Sequence, residues 1–162
     1  MDIGLEVGVL RDEWHGHIKT TGAHCPVCDR WGKIYGISLN RTMAKSLIWL
    51  LGAKKDEDGW ADVPQNAPRW IVRSNQLTTL KRWNLVERRP NDPESKTKFS
   101  GMWRPTELGC SFANRQTSVP KKVFTYHDVV QGFSDDLVTI DQCFDEVFDY
   151  EAMMSESFTG EL

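Results

Sequence analysis

The sequence predicts an α+β fold. Three observations carry this: apolar residues at helical spacing in residues 43–51, 74–83 and 108–112, short β-branched or aromatic runs between them, and turn residues that punctuate the two. With 162 residues, 40% of them hydrophobic and 27% charged, the chain has the material for a hydrophobic core and is neither disordered nor collagenous. The expected organisation is an N-terminal segment with a CxxC turn (1–37), a helix-and-hairpin domain (38–118), and a β-hairpin followed by an acidic helical tail (119–162).

Residues 1–22 show no sustained period, with Gly4, Gly8, Gly16 and Gly22 spaced through them. Next comes HCPVCDRWGKIYG, a CxxC turn and a strand-like run over 33–37. Ser38 or Asn40 offers a side-chain oxygen to the free N–H groups of a helix start, and Met43, Leu47, Leu50 and Leu51 follow at helical spacing up to Gly52. After a charged turn, 59–63 reads as a short strand ending at Pro64, and 67–72 as a short helix with Pro68 at its start. A second amphipathic helix is expected over 74–83, with Leu77 and Leu80 inward and Asn84 closing it in the left-handed conformation. Residues 85–89 and 101–106 form two strands joined by the polar loop PNDPESKTKFS. Thr106 caps a third helix to about Arg115 that buries Leu108 and Phe112, with Cys110 on the same side. VFTYHDVVQGFS reads as a hairpin turning near His127 and Asp128, and VTIDQCFDEVFDYEAMM as one or two acidic helices that fray after Met154.

The longest apolar run, near residues 47–51, is far short of the roughly 20 residues that cross a bilayer, so no membrane span is expected. Asp2 and Glu6 stand where a secretory signal needs a basic end and an apolar block, which points to the cytoplasm and to cysteines that are reduced thiols or metal ligands.

Charge is unevenly distributed beneath a formal net of −3. From Phe133 onward there are nine acids and no Lys or Arg, whereas residues 69–122 hold twelve bases against four acids. A basic middle suits a polyanion such as nucleic acid, and the acidic end suits either shielding of that surface or a basic partner.

The order helix, short strand, helix, helix, strand, basic loop, strand, helix resembles a winged helix-turn-helix. LTTLKRWNLVERR followed by GMWRPTELG is similar to the recognition-helix-to-wing segment of MarR-type regulators over roughly residues 39–112, with Asn84 where those regulators usually carry glycine. HCPVC, TELGCSFANRQTSVPKKVFTYHDVVQGFS and FDYEAMM resemble small proteins of bacteriophages and mobile elements. The long flanking helices that dimerise MarR proteins are not evident, so neither dimerisation nor an effector pocket is carried over. The resemblance implies a DNA-binding transcriptional or phage regulatory factor. The competing expectation is a phage-type protein that modulates a protein partner, with the acidic tail as a DNA-like surface.

On the first reading, Asn75, Gln76, Thr78 and Thr79 meet base edges in a major groove, because amides pair with adenine and threonine methyls meet thymine methyls. Lys81 and Arg82 then neutralise phosphates, and Lys96 and Lys98 on the wing reach the backbone or minor groove. Cys25 and Cys28 have the spacing at which one turn holds two thiolates on structural Zn²⁺, with His24 as the adjoining candidate ligand and His15, His17, Cys110 and Cys143 as further ones; two reduced cysteines in a turn are the equal alternative. Of the tryptophans, Trp83 and Trp103 are the ones expected at a surface. No GxxxxGK[ST], GxSxG or HExxH motif occurs, and no enzyme activity is expected.

Overall fold

The computed structural model describes residues 3–145 and residue 151. Its helices are α1 (Ile3–Ile18), α2 (Arg41–Gly52), α3 (Val63–Asn66), α4 (Arg69–Ser74), α5 (Gln76–Leu80), α6 (Glu107–Ala113) and α7 (Ile140–Asp145). The strands are β1 (Ala23–His24), β2 (Trp31–Gly32), β3 (Tyr35–Ser38), β4 (Ala61–Asp62), β5 (Val86–Pro90), β6 (Phe99–Pro105), β7 (Val119–Pro120), β8 (Lys122–Tyr126), β9 (Val129–Phe133) and β10 (Leu137–Val138). The fold is α+β, and every strand pair is antiparallel. Among the described residues no helix is long and apolar enough to cross a membrane.

The chain forms two compact units, and they are not consecutive in sequence. One joins the residues up to Ser38 with Lys121–Asp135; the other joins Leu39–Pro120 with the stretch that begins at Asp136. The expected boundary near residue 38 therefore coincides with a unit boundary, but the C-terminal hairpin belongs with the N-terminal segment rather than with the tail. The reason is strand pairing: β3 binds β8 in the register Tyr35↔Thr125 to Ser38↔Lys122, and β9 completes the order β3-β8-β9.

In this first unit α1 occupies the segment that showed no period. Ile18 and Ile34 form a small buried core with Trp14, Phe124 and Tyr126 packed against it. Ile34 N–H donates to the Ile18 carbonyl at 2.8 Å and the Trp14 indole N–H to the Ala23 carbonyl at 3.0 Å, which fixes the helix on the following hairpin. The turn between β8 and β9 falls on His127 and Asp128, as the sequence predicts, with φ of 48° and 61°. Two positive φ values in a two-residue loop match the twist of the flanking strands.

The second unit is built on α2. Asn40 caps it, its Oδ1 accepting from Met43 N–H at 3.0 Å, and Met43, Leu47 and Leu50 are buried with Ala44 and Ser46. Around it pack α5, α6, α7 and β6. β4, β6 and β5 form a three-stranded sheet in the order β4-β6-β5, and β7 pairs with β10. α7 is the described beginning of the acidic tail; it buries Ile140 and Cys143, and Arg41 binds the Phe144 carbonyl through its guanidinium. Most of the expected tail helix, and the fraying after Met154, lie outside the described residues.

Several local expectations are corrected. The strand expected over 59–63 is only β4, because Asp62 caps α3 by accepting from Gln65 N–H at 3.1 Å, which places Val63 and Pro64 in a helix. The single helix expected over 74–83 is broken: Asn75 takes the left-handed conformation (φ 56°), separating α4 from α5, and Lys81–Trp83 is a 3₁₀ turn that Asn84 (φ 58°) closes. Leu108 is exposed, leaving Phe112 as the buried anchor of α6, while Cys110 is half-buried. Trp83 and Trp103 are 4% and 5% exposed; the surface tryptophans are Trp31 and Trp70, at 44% and 42%. Trp83 is drawn in because its indole N–H finds the Pro120 carbonyl at 2.8 Å, so its one polar atom is satisfied in the interior.

Candidate nucleic-acid interface

The break at Asn75 decides which side chains the α4–α5 region presents. Leu77 and Leu80 enter the core, and Thr78 and Thr79 are left half-exposed on α5. The Thr78 hydroxyl donates to Asn75 Oδ1 at 2.8 Å, a side-chain cap inside the bend. Gln76 turns inward: its amide N–H donates to the Ser74 carbonyl at 3.3 Å, and its Oε1 is buried without a partner. Of the four residues expected at base edges, Asn75, Thr78 and Thr79 are therefore at least half-exposed, and Gln76 is aimed away from a ligand. Asn75 and Thr78 border a groove of about 150 Å³ that Val63, Ile71, Arg88 and Trp103 also line.

The basic residues follow. Lys81 is exposed, at the start of the 3₁₀ turn, and Arg82 is half-buried. On the wing, the loop between β5 and β6 is tied to itself: Asn91 Nδ2 donates to the Thr97 carbonyl at 3.0 Å and to its hydroxyl at 2.8 Å, and Asn91 N–H donates to the Lys98 carbonyl at 3.2 Å. Lys96 and Lys98 stand exposed on this loop.

Phe99, the first residue of β6, gathers three of these cations. Lys81 Nζ lies 5.1 Å from its ring centroid, Lys98 Nζ 5.3 Å and the Arg88 guanidinium 5.5 Å. Arg88 is held in place from below, 5.2 Å over the Trp103 ring and with Nε–H donating to the Ser100 carbonyl at 2.6 Å. Each cation–ring contact is worth about 0.5–1 kcal/mol at an exposed site, enough to orient three like charges that repel one another. A bound anion would relieve that repulsion. The other arginines of the sheet are already compensated: Arg104 pairs with Glu87 and lies 4.1 Å over Trp60, and Arg89 is 3.9 Å from Asp56.

Two expected residues, Lys81 and Lys98, are thus brought together, and Arg88 and Phe99 are members that the sequence reading missed. Arg88 sits opposite Trp103 in the β5–β6 register, a relation visible only once the strands are aligned.

The CxxC turn caps the β1–β2 hairpin in the first unit, where Ala23 pairs with Gly32 and His24 with Trp31. Cys25 N–H donates to the Arg30 carbonyl at 2.8 Å and Asp29 N–H to the Cys25 carbonyl at 2.9 Å, with Asp29 in the left-handed conformation (φ 58°). The backbone N–H groups of Cys28 and Val27 hold the Cys25 thiol below its usual pKa. Burial, with the two thiols beside it, pushes the Tyr126 hydroxyl up. His24 lies edge-on to Trp31 at 5.2 Å, and its Nδ1–H donates to the Asp29 carbonyl at 2.8 Å. Among the described residues no three His, Cys, Asp or Glu side chains gather into a metal-binding group, so His24 is not brought together with Cys25 and Cys28.

Comparison of the chain with protein-family models, with curated proteins and with solved structures finds no match.

Proposed function

We propose that the second unit is a winged helix-turn-helix that binds double-stranded DNA, and that the protein acts as a transcriptional or phage regulatory factor. The order α2, β4, α4, α5, β5, β6, with β6 central in the sheet, supports the reading: it is the element order of that fold, with α5 as the groove-reading helix and the β5–β6 loop as the wing. The single observation that carries it is the convergence of Lys81, Arg88 and Lys98 on Phe99. A helix end and a wing that share one positive surface can hold phosphates of the same duplex.

On this reading, Thr78, Thr79 and Asn75 approach the base edges, Lys81, Arg88, Lys96 and Lys98 hold phosphates, and Arg82 contributes from the helix end. Gln76 acts within the protein, on the Ser74 carbonyl. Equilibrium binding of the full chain to random duplex over a salt series tests it. Affinity that falls linearly in log–log form with ionic strength is the expected result, because phosphate neutralisation releases counterions. No binding at low salt would reject it.

A further inference from the structure

We propose that Cys25 and Cys28 are one half of a tetrahedral thiolate site for a thiophilic divalent cation, Zn²⁺ in chemical class, and that a second copy of this chain supplies the other half.

The first half of the argument is the turn itself. It has the features of a two-thiolate metal loop: a hairpin that brings both cysteines to one end, the 2.8 Å and 2.9 Å backbone bonds that close residues 25–30, and a left-handed residue directly after the second cysteine. Backbone N–H groups that face a sulfur stabilise thiolate over thiol, and thiolate is the form that binds metal. Gathering two sulfurs in this way is more than a reduced pair needs.

The second half is what the chain lacks. A closed structural zinc site takes four ligands, and the turn provides two. His24 is spent on Asp29 and Trp31, His15 lies against Trp14, and His127 lies against Tyr126. Cys143 is buried in the second unit with its sulfur on the Thr139 carbonyl. Residues 146–162 contain neither Cys nor His. The turn is also turned outward: Cys28 is exposed, Val27 is 68% exposed and Trp31 flanks it. Two such turns related by a two-fold axis supply four equivalent sulfurs, and the apolar Val27 and Trp31 surfaces meet around the metal. Four S–Zn bonds form, and the thiol protons pass to buffer.

The test is a titration of the reduced, chelator-treated full chain with Co²⁺ or Zn²⁺ alone, following metal content, the ligand-field bands of Co²⁺ and native mass. The expected result is an endpoint near one metal per two chains, an intense tetrahedral thiolate spectrum, and a mass that doubles with metal and halves with chelator. Cys28→Ser, at an exposed position, should stay folded by circular dichroism while losing the bands and the dimer. One metal per chain in a monomer, no thiolate band, or a dimer that survives both chelation and Cys28→Ser would each overturn the proposal. Duplex binding is a separate readout, so failure here leaves the DNA-binding reading standing.

Discussion

The ammonium of Lys81 lies 5.1 Å from the ring centroid of Phe99, joining the end of α5 to the base of the wing across 18 residues of sequence. The ring orients charges without carrying one. Phe99→Ala should therefore weaken duplex binding by about two- to fivefold, the loss of a single oriented cation contact, while the salt slope stays unchanged. Fluorescence anisotropy at several salt concentrations reads both quantities at once. A changed slope would mean that Phe99 does more than orient.

Gly109 packs its α-carbon against the Leu85 carbonyl so closely that a Cβ would overlap the oxygen. The contact seats α6 on the strand entry, beside the Thr106 hydroxyl that donates to the Asn84 carbonyl at 2.6 Å. Backbone cannot swing away as a side chain can, so Gly109→Ala should cost about 1–3 kcal/mol or more in chemical denaturation. Gly52→Ala, where a Cβ meets open space, is the matched control and should cost nothing or stabilise.

Trp83 is 4% exposed and its indole N–H binds the Pro120 carbonyl. Trp83→Phe keeps most of the ring but leaves that carbonyl without its partner, a loss of about 1–3 kcal/mol. Trp83→Ala adds a cavity and should cost about 3–5 kcal/mol. Thermal unfolding of the pair separates the hydrogen bond from the packing.

His127 and Asp128 both hold positive φ at the β8–β9 turn. The pair His127→Asn and Asp128→Gly should relieve that strain and raise stability by about 0.5–1 kcal/mol. Equal or lower stability would indicate that the native side chains make compensating contacts.

What the sequence made legible was local. Asn40 followed by Met43, Leu47 and Leu50 defines α2, Thr106 caps α6 by accepting from Gly109 N–H at 3.0 Å, and the turn at His127 and Asp128 lies where the alternating runs on either side of it require. What stayed hidden depends on distance along the chain. The β3–β8 ladder joins residues about ninety positions apart and reassigns the hairpin to the N-terminal segment, and no local pattern announces that pairing. α1 was hidden for a different reason: Leu5, Val7, Val9 and Leu10 are all exposed, so no apolar stripe marks the helix. Asn75 and Asn84 adopt the same left-handed conformation, yet only Asn84 ends an apolar period, and only it could be read as a stop. At the candidate interface, Lys81 and Lys98 were legible as charges, whereas Arg88 depended on its register with Trp103.

The most direct measurement is the salt dependence of duplex binding by the full chain and by a variant carrying Lys81→Ala, Arg88→Ala and Lys98→Ala. Each phosphate contact contributes about 0.9 to the slope of log affinity against log salt, so the triple variant should lose roughly 2–3 from the slope and bind more weakly at every salt concentration while remaining folded. An unchanged slope in the folded variant would contradict the claim that these three cations form the DNA-binding surface.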